Sequence, residues 1–426
     1  MTTTTNGGHL PLLRTRIPGP KSRTLARQLR RYESRNVTYT SKTWPIFWQR
    51  ALGANVWDVD GNRYVDLTAA FGVASVGHTN PRVSAAIHQQ ATKLLHAMGD
   101  VHPNELKLQL ARELCVLTFR RWCRPADLSG RRVGSRGRQP EARVVFGNSG
   151  AEAVEIAIKT AAIHTKRPGV IAFTGAYHGL TYGALDVTSR RDFREPFLHQ
   201  LGRFTKHVPF GKLPEVETIR QCGAVIVEPI QGRGGIVVPP DDFLPALRKF
   251  CDRHKLVLIF DEIYTGFCRT GRWFACEHWG VVPDLVCVGK GMTGGFPMSA
   301  CIGRAKVMDS WPESKGEAIH TSTFLGNPLG CAASLAAIAE MKRLKLDSRS
   351  RQLGEYLKSK LPVRGKGLML GLPVNDAPQL CEQLLRAGIL ALPEGEHGEV
   401  LGLTPPLTIS RRQLNHAVSI IRELTR

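Results

Sequence analysis

Three short apolar runs, Ala224–Val227 (AVIV), Leu256–Phe260 (LVLIF) and Leu285–Val288 (LVCV), are each followed at once by a charge: Glu228, Asp261 and, after one glycine, Lys290. Runs of this length bounded by turn residues fit strands covered on both faces. Asp261 lies 33 residues after Glu228, and Lys290 29 after Asp261; about 30 residues is what a strand–helix–strand crossover needs. The spacing predicts a parallel sheet with helices on its faces. In such sheets the ligand crevice opens beyond the carboxyl ends of the strands, so two acids and an amine are expected to face one ligand. Lys290 stands in VGKGMTGG, where small residues let backbone approach a flat ligand closely. Taken singly, each residue has a plainer role: an Asp after a strand caps a helix, and a Lys before Gly is a solvated loop charge.

A fourth strand, Val144–Phe146, runs into Gly147-Asn148-Ser149-Gly150-Ala151 and then a helical pattern. A glycine turn opening a helix presents free N–H groups and the positive end of the helix dipole, which suits a phosphate. The turn is neither a Walker loop nor GxGxxG, and an ordinary strand-to-helix turn reads the same way. Val170–Phe173 is followed by Gly175-Ala176-Tyr177-His178-Gly179. An aromatic at a strand end can stack on a planar ring; alternatively, Tyr177 and His178 pack the loop.

The 426 residues, 42% hydrophobic, suffice for a large core, expected in two domains. No apolar run approaches the roughly 20 residues that span a bilayer. The ten cysteines are scattered without a CxxC pair, some inside apolar strands (Cys287), which fits reduced thiols and a cytoplasmic protein. No metal-ligand grouping such as HExxH occurs among the 14 histidines, so no metal site is expected. The net charge of +22 is concentrated in the first fifty residues and in Arg120–Arg143, where eight arginines stand against Asp127 and Glu141. That stretch is read as a solvated loop rather than a nucleic-acid surface, since no RNP, zinc-finger or helix-turn-helix pattern accompanies it.

Along the chain, residues 1–10 are expected to be disordered, followed by a basic helix over TLARQLRRYESR, with Pro18, Gly19 and Pro20 interrupting any helix before it. There is no apolar core of a secretory signal. Ala54–Leu67 alternates and turns at Asp60–Gly61, a hairpin signal. Helices are expected over Asn80–Leu95, with Val83, Ile87 and Leu94 on one face, and over Glu105–Leu117. From Asn327 the pattern reads helix, helix, short strands, helix.

These motifs, together with VGHTNP, VEPIQGRGG, FDEIYTGFCRTG, HTSTFLGNPLGCAA, GLMLG and LTPPL in this order, resemble the class III pyridoxal-phosphate-dependent aminotransferases, the group containing the ornithine, acetylornithine and 4-aminobutyrate enzymes. The resemblance covers Pro45 to Arg426. It implies a fold-type I α/β enzyme: a large, mostly parallel sheet domain flanked by helices, with a smaller α+β domain built from both chain ends. The corresponding bounds are 1–45 for a basic arm, 46–75 for the N-terminal part of the small domain, 76–326 for the large domain and 327–426 for the C-terminal part. It implies that Lys290 forms the Schiff base with pyridoxal 5'-phosphate and carries protons during turnover. Asp261 would pair with the pyridine nitrogen, Ser149, Gly150 and Ala151 would hold the phosphate, Tyr177 would stack on the ring, and His178 and Glu228 would complete the cofactor site. Thr323, in HTSTF, would reach the phosphate of a neighbouring subunit, so a homodimer is implied.

The chain departs from the family where the substrate carboxylate is held. The family commonly has Glu where Arg233 stands and Arg where Gly402 stands, the two forming a gate. Arg233 is therefore expected to supply the carboxylate fork itself, the alternative being that it faces solvent or a structural acid. Tyr264, where Gln is common, would shape the pocket, and Cys268 stands where Gly is frequent. The expected activity is amino transfer from an ω- or α-amino acid to an oxo acid. The competing expectation is an amino-acid racemase or epimerase on the same scaffold, which the missing gate would suit.

Overall fold

The computed structural model describes residues 8–38, 45–123 and 142–426. Strands β1 (Trp48–Leu52), β2 (Asn55–Asp58) and β3 (Arg63–Asp66) form an antiparallel meander. Its β2–β3 turn lies at Asp60–Gly61, where Gly61 takes φ +82° and Asp58 Oδ1 accepts from the backbone N–H of Asp60 and Asn62, both at 2.9 Å. The N-terminal segment packs on this meander. Leu12 exchanges backbone hydrogen bonds with Arg63, and His9 N donates to Asn55 Oδ1 at 2.9 Å. His9 and Leu10 are thus paired, against the expectation of disorder; residues 1–7 lie outside the described residues. The basic helix spans Pro20–Tyr32, four residues earlier than Thr24. Pro18-Gly19-Pro20 starts the helix instead of interrupting it, because Pro lacks only an N–H that the first turn leaves free anyway. Asp60 supplies the cap that Gly19 lacks, accepting from Lys21 N (2.7 Å) and Ser22 N (2.9 Å).

The central sheet contains β4 (Ala142–Gly147), β5 (Gly169–Phe173), β6 (Thr205–Val208), β7 (Cys222–Val227), β8 (Val257–Asp261), β9 (Leu285–Val288) and β10 (Ser299–Arg304). Their order is β4-β10-β9-β8-β7-β5-β6. Every neighbouring pair is parallel except those of β10, which runs antiparallel to both β4 and β9. β5, β7, β8 and β9 are buried along their whole length. Side chains alternate between faces: Ala224 and Ile226 pack with Ala153, Ile156 and Ala157 of the helix Gly150–Thr165, while Val225 and Val227 join the opposite cluster with Leu244 and Leu247 of the helix Phe243–His254. A helix on each face explains why these strands read as continuous apolar runs.

The helices expected at Asn80 and Glu105 span Pro81–Ala91 and Glu105–Leu117. Asn80 caps the first, accepting from Arg82 N at 3.0 Å and Val83 N at 3.3 Å. It ends before Leu94, which is exposed. Toward the C-terminus come the helices Pro328–Leu344 and Leu346–Lys358 and strands β11 (Arg364–Lys366), β12 (Met369–Pro373), β13 (Ile389–Leu390), β14 (Leu392–Glu394) and β15 (Val400–Leu403). The order β11-β12-β15-β14 makes a third sheet, and β13 joins the meander by pairing parallel with β3. A helix absent from the expected pattern, Ala377–Arg386, interrupts these strands. Asp376 caps it, accepting from Gln379 N at 2.8 Å, and Leu380, Cys381, Leu384 and Leu385 form its buried stripe. Arg269, fully buried, clamps C-terminal backbone to the loop after β8 by donating to the carbonyls of Leu368 (3.1 Å) and Pro405 (2.6 Å).

No helix among the described residues is long and apolar enough to cross a membrane. Of the arginine-rich stretch, residues 124–141 lie outside the described residues, and the nucleic-acid reading lies there with them.

Candidate active site

β7, β8 and β9 are adjacent and parallel, so Glu228, Asp261 and Lys290 emerge side by side at one edge of the sheet. Asp261 is the last residue of β8 rather than the first beyond it. It is 4% exposed; Oδ2 accepts from His178 Nδ1 at 2.8 Å, and Oδ1 accepts from Ile263 N at 3.0 Å. A carboxylate at Nδ1 fixes the histidine tautomer that carries its proton there. Among the described residues, His178 Nε2 is buried with no partner. The His178 side chain meets Asp261 among these residues and orients it.

Glu228 is held by two backbone donors, Tyr177 N and Gly232 N, both at 3.1 Å. Burial pushes its carboxyl up to about 7; the His178 charge and these two N–H groups oppose the shift, and nearby Asp261 adds to it. Lys290 follows Gly289 with φ +42°, a left-handed conformation uncommon for a side-chain-bearing residue. Its Nζ stands 4.0 Å from the centre of the Tyr264 ring. Burial lowers the Lys290 pKa below the ordinary lysine range against the opposing pull of Asp261, Glu228 and Glu394. The Tyr264 ring fits a slot made by two glycines: a Cβ would stand 2.5 Å from its edge at Gly72 and equally at Gly232. Tyr264 Oη donates to Thr404 Oγ1 at 3.1 Å.

Ser149 caps the helix Gly150–Thr165, accepting from Glu152 N at 3.3 Å. Among the described residues, no acceptor faces the N–H groups of Gly150 and Ala151. Gly150 packs against Ile263, which follows the Asp261 strand by two residues; a Cβ there would lie 3.0 Å from Ile263 Cδ1. The anion-ready turn and the Asp261 strand end are therefore in contact. The residues present fit pyridoxal 5'-phosphate: free helix N–H groups for a phosphate, an acid for a ring nitrogen, an amine whose pKa burial lowers and, among the described residues, an unpartnered buried histidine nitrogen at the same edge. Tyr177 packs edge-on to Phe193 at 5.9 Å, and the Arg233 guanidinium lies over it at 5.2 Å. Thr323 is exposed. Its neighbour Ser322 accepts from Asn148 Nδ2 at 2.9 Å, which puts this segment beside the turn of its own chain.

The structure adds a residue that sequence reasoning missed. Glu394, at the end of β14, is 7% exposed. Burial raises its carboxyl to about 7, with Arg233 and Lys290 pulling the other way. At Gly402 a Cβ would lie 2.9 Å from Glu394 Cγ, so the position where the family commonly carries arginine is bare because the Glu394 side chain passes over it. Among the described residues, no group of three or more His, Cys, Asp or Glu side chains could hold a metal ion.

Comparisons with known proteins agree with this geometry. The family model for class-III aminotransferases matches residues 37–424. The chain is 38% identical to the acetylornithine aminotransferase of Methanopyrus kandleri over 91% of this chain and 96% of that one. It is 35% identical to the 4-aminobutyrate aminotransferase of Mycobacterium leprae over 96% and 97%. A crystal structure of ornithine aminotransferase from Toxoplasma gondii, in which pyridoxal phosphate partly occupies the active site, superposes with a TM-score of 0.80 at 30% identity over 94% of this chain and 93% of that one. The relatives named here are aminotransferases, which favours amino transfer over the racemase expectation. The chain belongs to the class III aminotransferases, enzymes that depend on pyridoxal 5'-phosphate.

Proposed function

We propose that Lys290 and Asp261 are the catalytic pair of an enzyme that moves the amino group of an α- or ω-amino acid to an oxo acid. The observation that carries this reading is the placement of a buried acid and a buried amine on neighbouring parallel strands, beside an unsatisfied helix N-terminus. When bound, pyridoxal 5'-phosphate supplies an electron sink for negative charge at the carbon bearing the donor nitrogen. Lys290 Nζ, neutral more readily than an ordinary lysine, acts as nucleophile and proton carrier at that carbon. Asp261, oriented by His178, would pair with the ring nitrogen. Ser149, Gly150 and Ala151 would hold the phosphate, Tyr177 would stack on the ring and Glu228 would help orient the cofactor. Arg233, whose buried Nε has no partner among the described residues, binds the substrate carboxylate in a bidentate fork, and Tyr264 shapes the pocket.

The working unit is a homodimer in which Thr323 reaches the phosphate held by a second copy. Supporting this, the exposed Leu94, Met98, Ile319 and Phe324 belong to two segments stitched together by Thr321 Oγ1 donating to Asp100 Oδ2 at 2.5 Å and by His96 against Phe324 at 5.3 Å. One exposed apolar surface of this kind suits a partner. Ten free cysteines, most of them buried, fit a reducing cytoplasm.

The test uses the holoenzyme with single amines or amino acids and no oxo acid. A donor that removes the visible absorption of the bound cofactor, restored when an oxo acid is added, is the expected result. If no donor changes it, while solvent deuterium enters the α-carbon of an amino acid, the reading is wrong.

A further inference from the structure

Three parts of the chain converge on the ring of Tyr264. Gly72 approaches one side and Gly232 the other: a Cβ at Gly72 would lie 2.5 Å from Tyr264 Cε2, and one at Gly232 2.5 Å from Cδ1. The Tyr264 hydroxyl donates to Thr404 Oγ1 at 3.1 Å, and the Thr404 hydroxyl donates in turn to the Thr68 carbonyl at 3.3 Å. A ring gripped on both sides and tied at its tip keeps one orientation. It presents a face to Lys290, whose Nζ stands 4.0 Å from the ring centre.

The backbone is strained around this contact. Ala69, Ala70 and Phe71 take φ of 47°, 48° and 62° and lead into Gly72 at φ 79°. Left-handed conformations are costly for residues that carry a Cβ, and they persist where the surrounding structure holds them. Thr68 does so here, its Oγ1 accepting from Ala70 N at 3.0 Å. Lys290 is itself left-handed, at φ 42°. The turn that brings Gly72 to the ring and the residue that carries the amine therefore share this costly conformation.

An aromatic face attracts an ammonium and has no such hold on a neutral amine. Among the described residues, Asp261, Glu228 and Glu394 also favour the Lys290 ammonium, while burial and Arg233 oppose it. Tyr264 adds no negative charge of its own, because burial and Glu394 raise its phenol pKa and the ring stays neutral. We propose that Tyr264 is a positioning residue for Lys290: its ring face holds the Lys290 ammonium whenever that amine is not bonded to the cofactor, and frees it once the proton has been handed on. This rests on the aminotransfer reading above and gives its proton carrier a fixed station. A carrier held in place needs no re-alignment before each transfer, and such orientation is a large part of what an enzyme supplies. The ring makes and breaks no bond.

The experiment uses the full-length protein loaded with pyridoxamine 5'-phosphate, in which Lys290 is not bonded to the cofactor. Cyanate, which carbamoylates neutral amines, is added across a pH series. Mass spectrometry follows the label on Lys290 relative to a free lysine standard and gives the pH midpoint of its titration in wild type, Tyr264→Phe, Tyr264→Leu and Tyr264→Met. Tyr264→Phe keeps the face and holds the midpoint within about 0.3 unit, whereas Tyr264→Leu lowers it by about one unit, an about tenfold loss of ammonium relative to amine. Tyr264→Met, of similar reach without a π face, gives the same shift and stands in where the leucine variant does not fold; thermal unfolding checks each variant. A midpoint unchanged or raised in both Tyr264→Leu and Tyr264→Met overturns the inference, since losing a ring that only excludes water would raise it. So does a Tyr264→Phe midpoint that falls as far as that of Tyr264→Leu, which would assign the effect to the hydroxyl. Amino transfer by wild type is assayed separately: its absence for every donor and oxo acid overturns the aminotransfer reading, and the Lys290 midpoints do not depend on that assay.

Discussion

The two ends of the site are built on opposite principles. At the strand ends, Asp261 accepts from His178 and a backbone N–H, and Glu228 accepts from two backbone N–H groups. Elsewhere at this site, among the described residues, Arg233 Nε and the Glu394 carboxylate have no hydrogen-bond partner. Groups that must keep one orientation are fixed by rigid elements, which removes reorganisation at the moment of reaction. Groups that read a variable ligand stay unsatisfied until it arrives, and a ligand lacking the matching charge leaves them so. The difference teaches where specificity should change without loss of chemistry.

The largest effect is expected from Lys290→Ala, which removes nucleophile and proton carrier together; kcat/KM falls by more than about 10⁴-fold while circular dichroism stays native. Retention of activity within tenfold would break the comparison at its firmer end. Next, Asp261→Ala lowers kcat by about 10²–10³-fold, the range for one preorganised electrostatic group, with KM little moved. Arg233→Ala should show the reverse split, raising the oxo-acid KM by about 10- to 100-fold; an unchanged KM would remove Arg233 from carboxylate binding. A smaller effect is expected from Gly402→Ala. Its Cβ would meet Glu394 Cγ at 2.9 Å and push that side chain aside, changing donor KM several-fold at constant kcat, measured with the donors that the holoenzyme accepts.

The smallest effect is in the pH dependence of stability. Burial raises the folded Glu394 pKa from 4.5 to about 7. A raised carboxyl contributes stability that is fully present below pH 4.5 and lost as pH rises through about 7, because the unfolded chain releases its proton first. The change cannot exceed about 1.4 kcal/mol per pH unit. The Tm of Glu394→Gln minus that of wild type should therefore increase between pH 4.5 and 7 and level off above it, as read by calorimetry without cofactor. A flat difference would mean that Glu394 is better solvated than its burial implies.

The firmer end was largely legible beforehand. Strand-ending charges at 228, 261 and 290 declare themselves because buried parallel strands must be apolar, so each polar residue marks a strand end. The GNSGA turn marks a helix start for the same local reason. The other end was not legible. The stretch LPEGEHGEV offers Glu394, Glu396 and Glu399, and only the pairing of β14 with β15 decides which points inward. The glycine slot around Tyr264 draws on residues 72 and 232, a closeness that no local pattern announces. The helix Ala377–Arg386, absent from the expected pattern, carries Pro378 in its first turn, where proline is tolerated.

By itself, the sequence determined five of the seven strands of the central sheet, the chain order of its charge-bearing strands and the family resemblance, because local periodicity and crossover length are properties of neighbouring residues. Only the tertiary structure decided which acid is buried at the end of β14, that its side chain passes over position 402, and that His178 meets Asp261. Those relations join residues far apart in the chain, and they depend on strand register and on the space one side chain leaves for another.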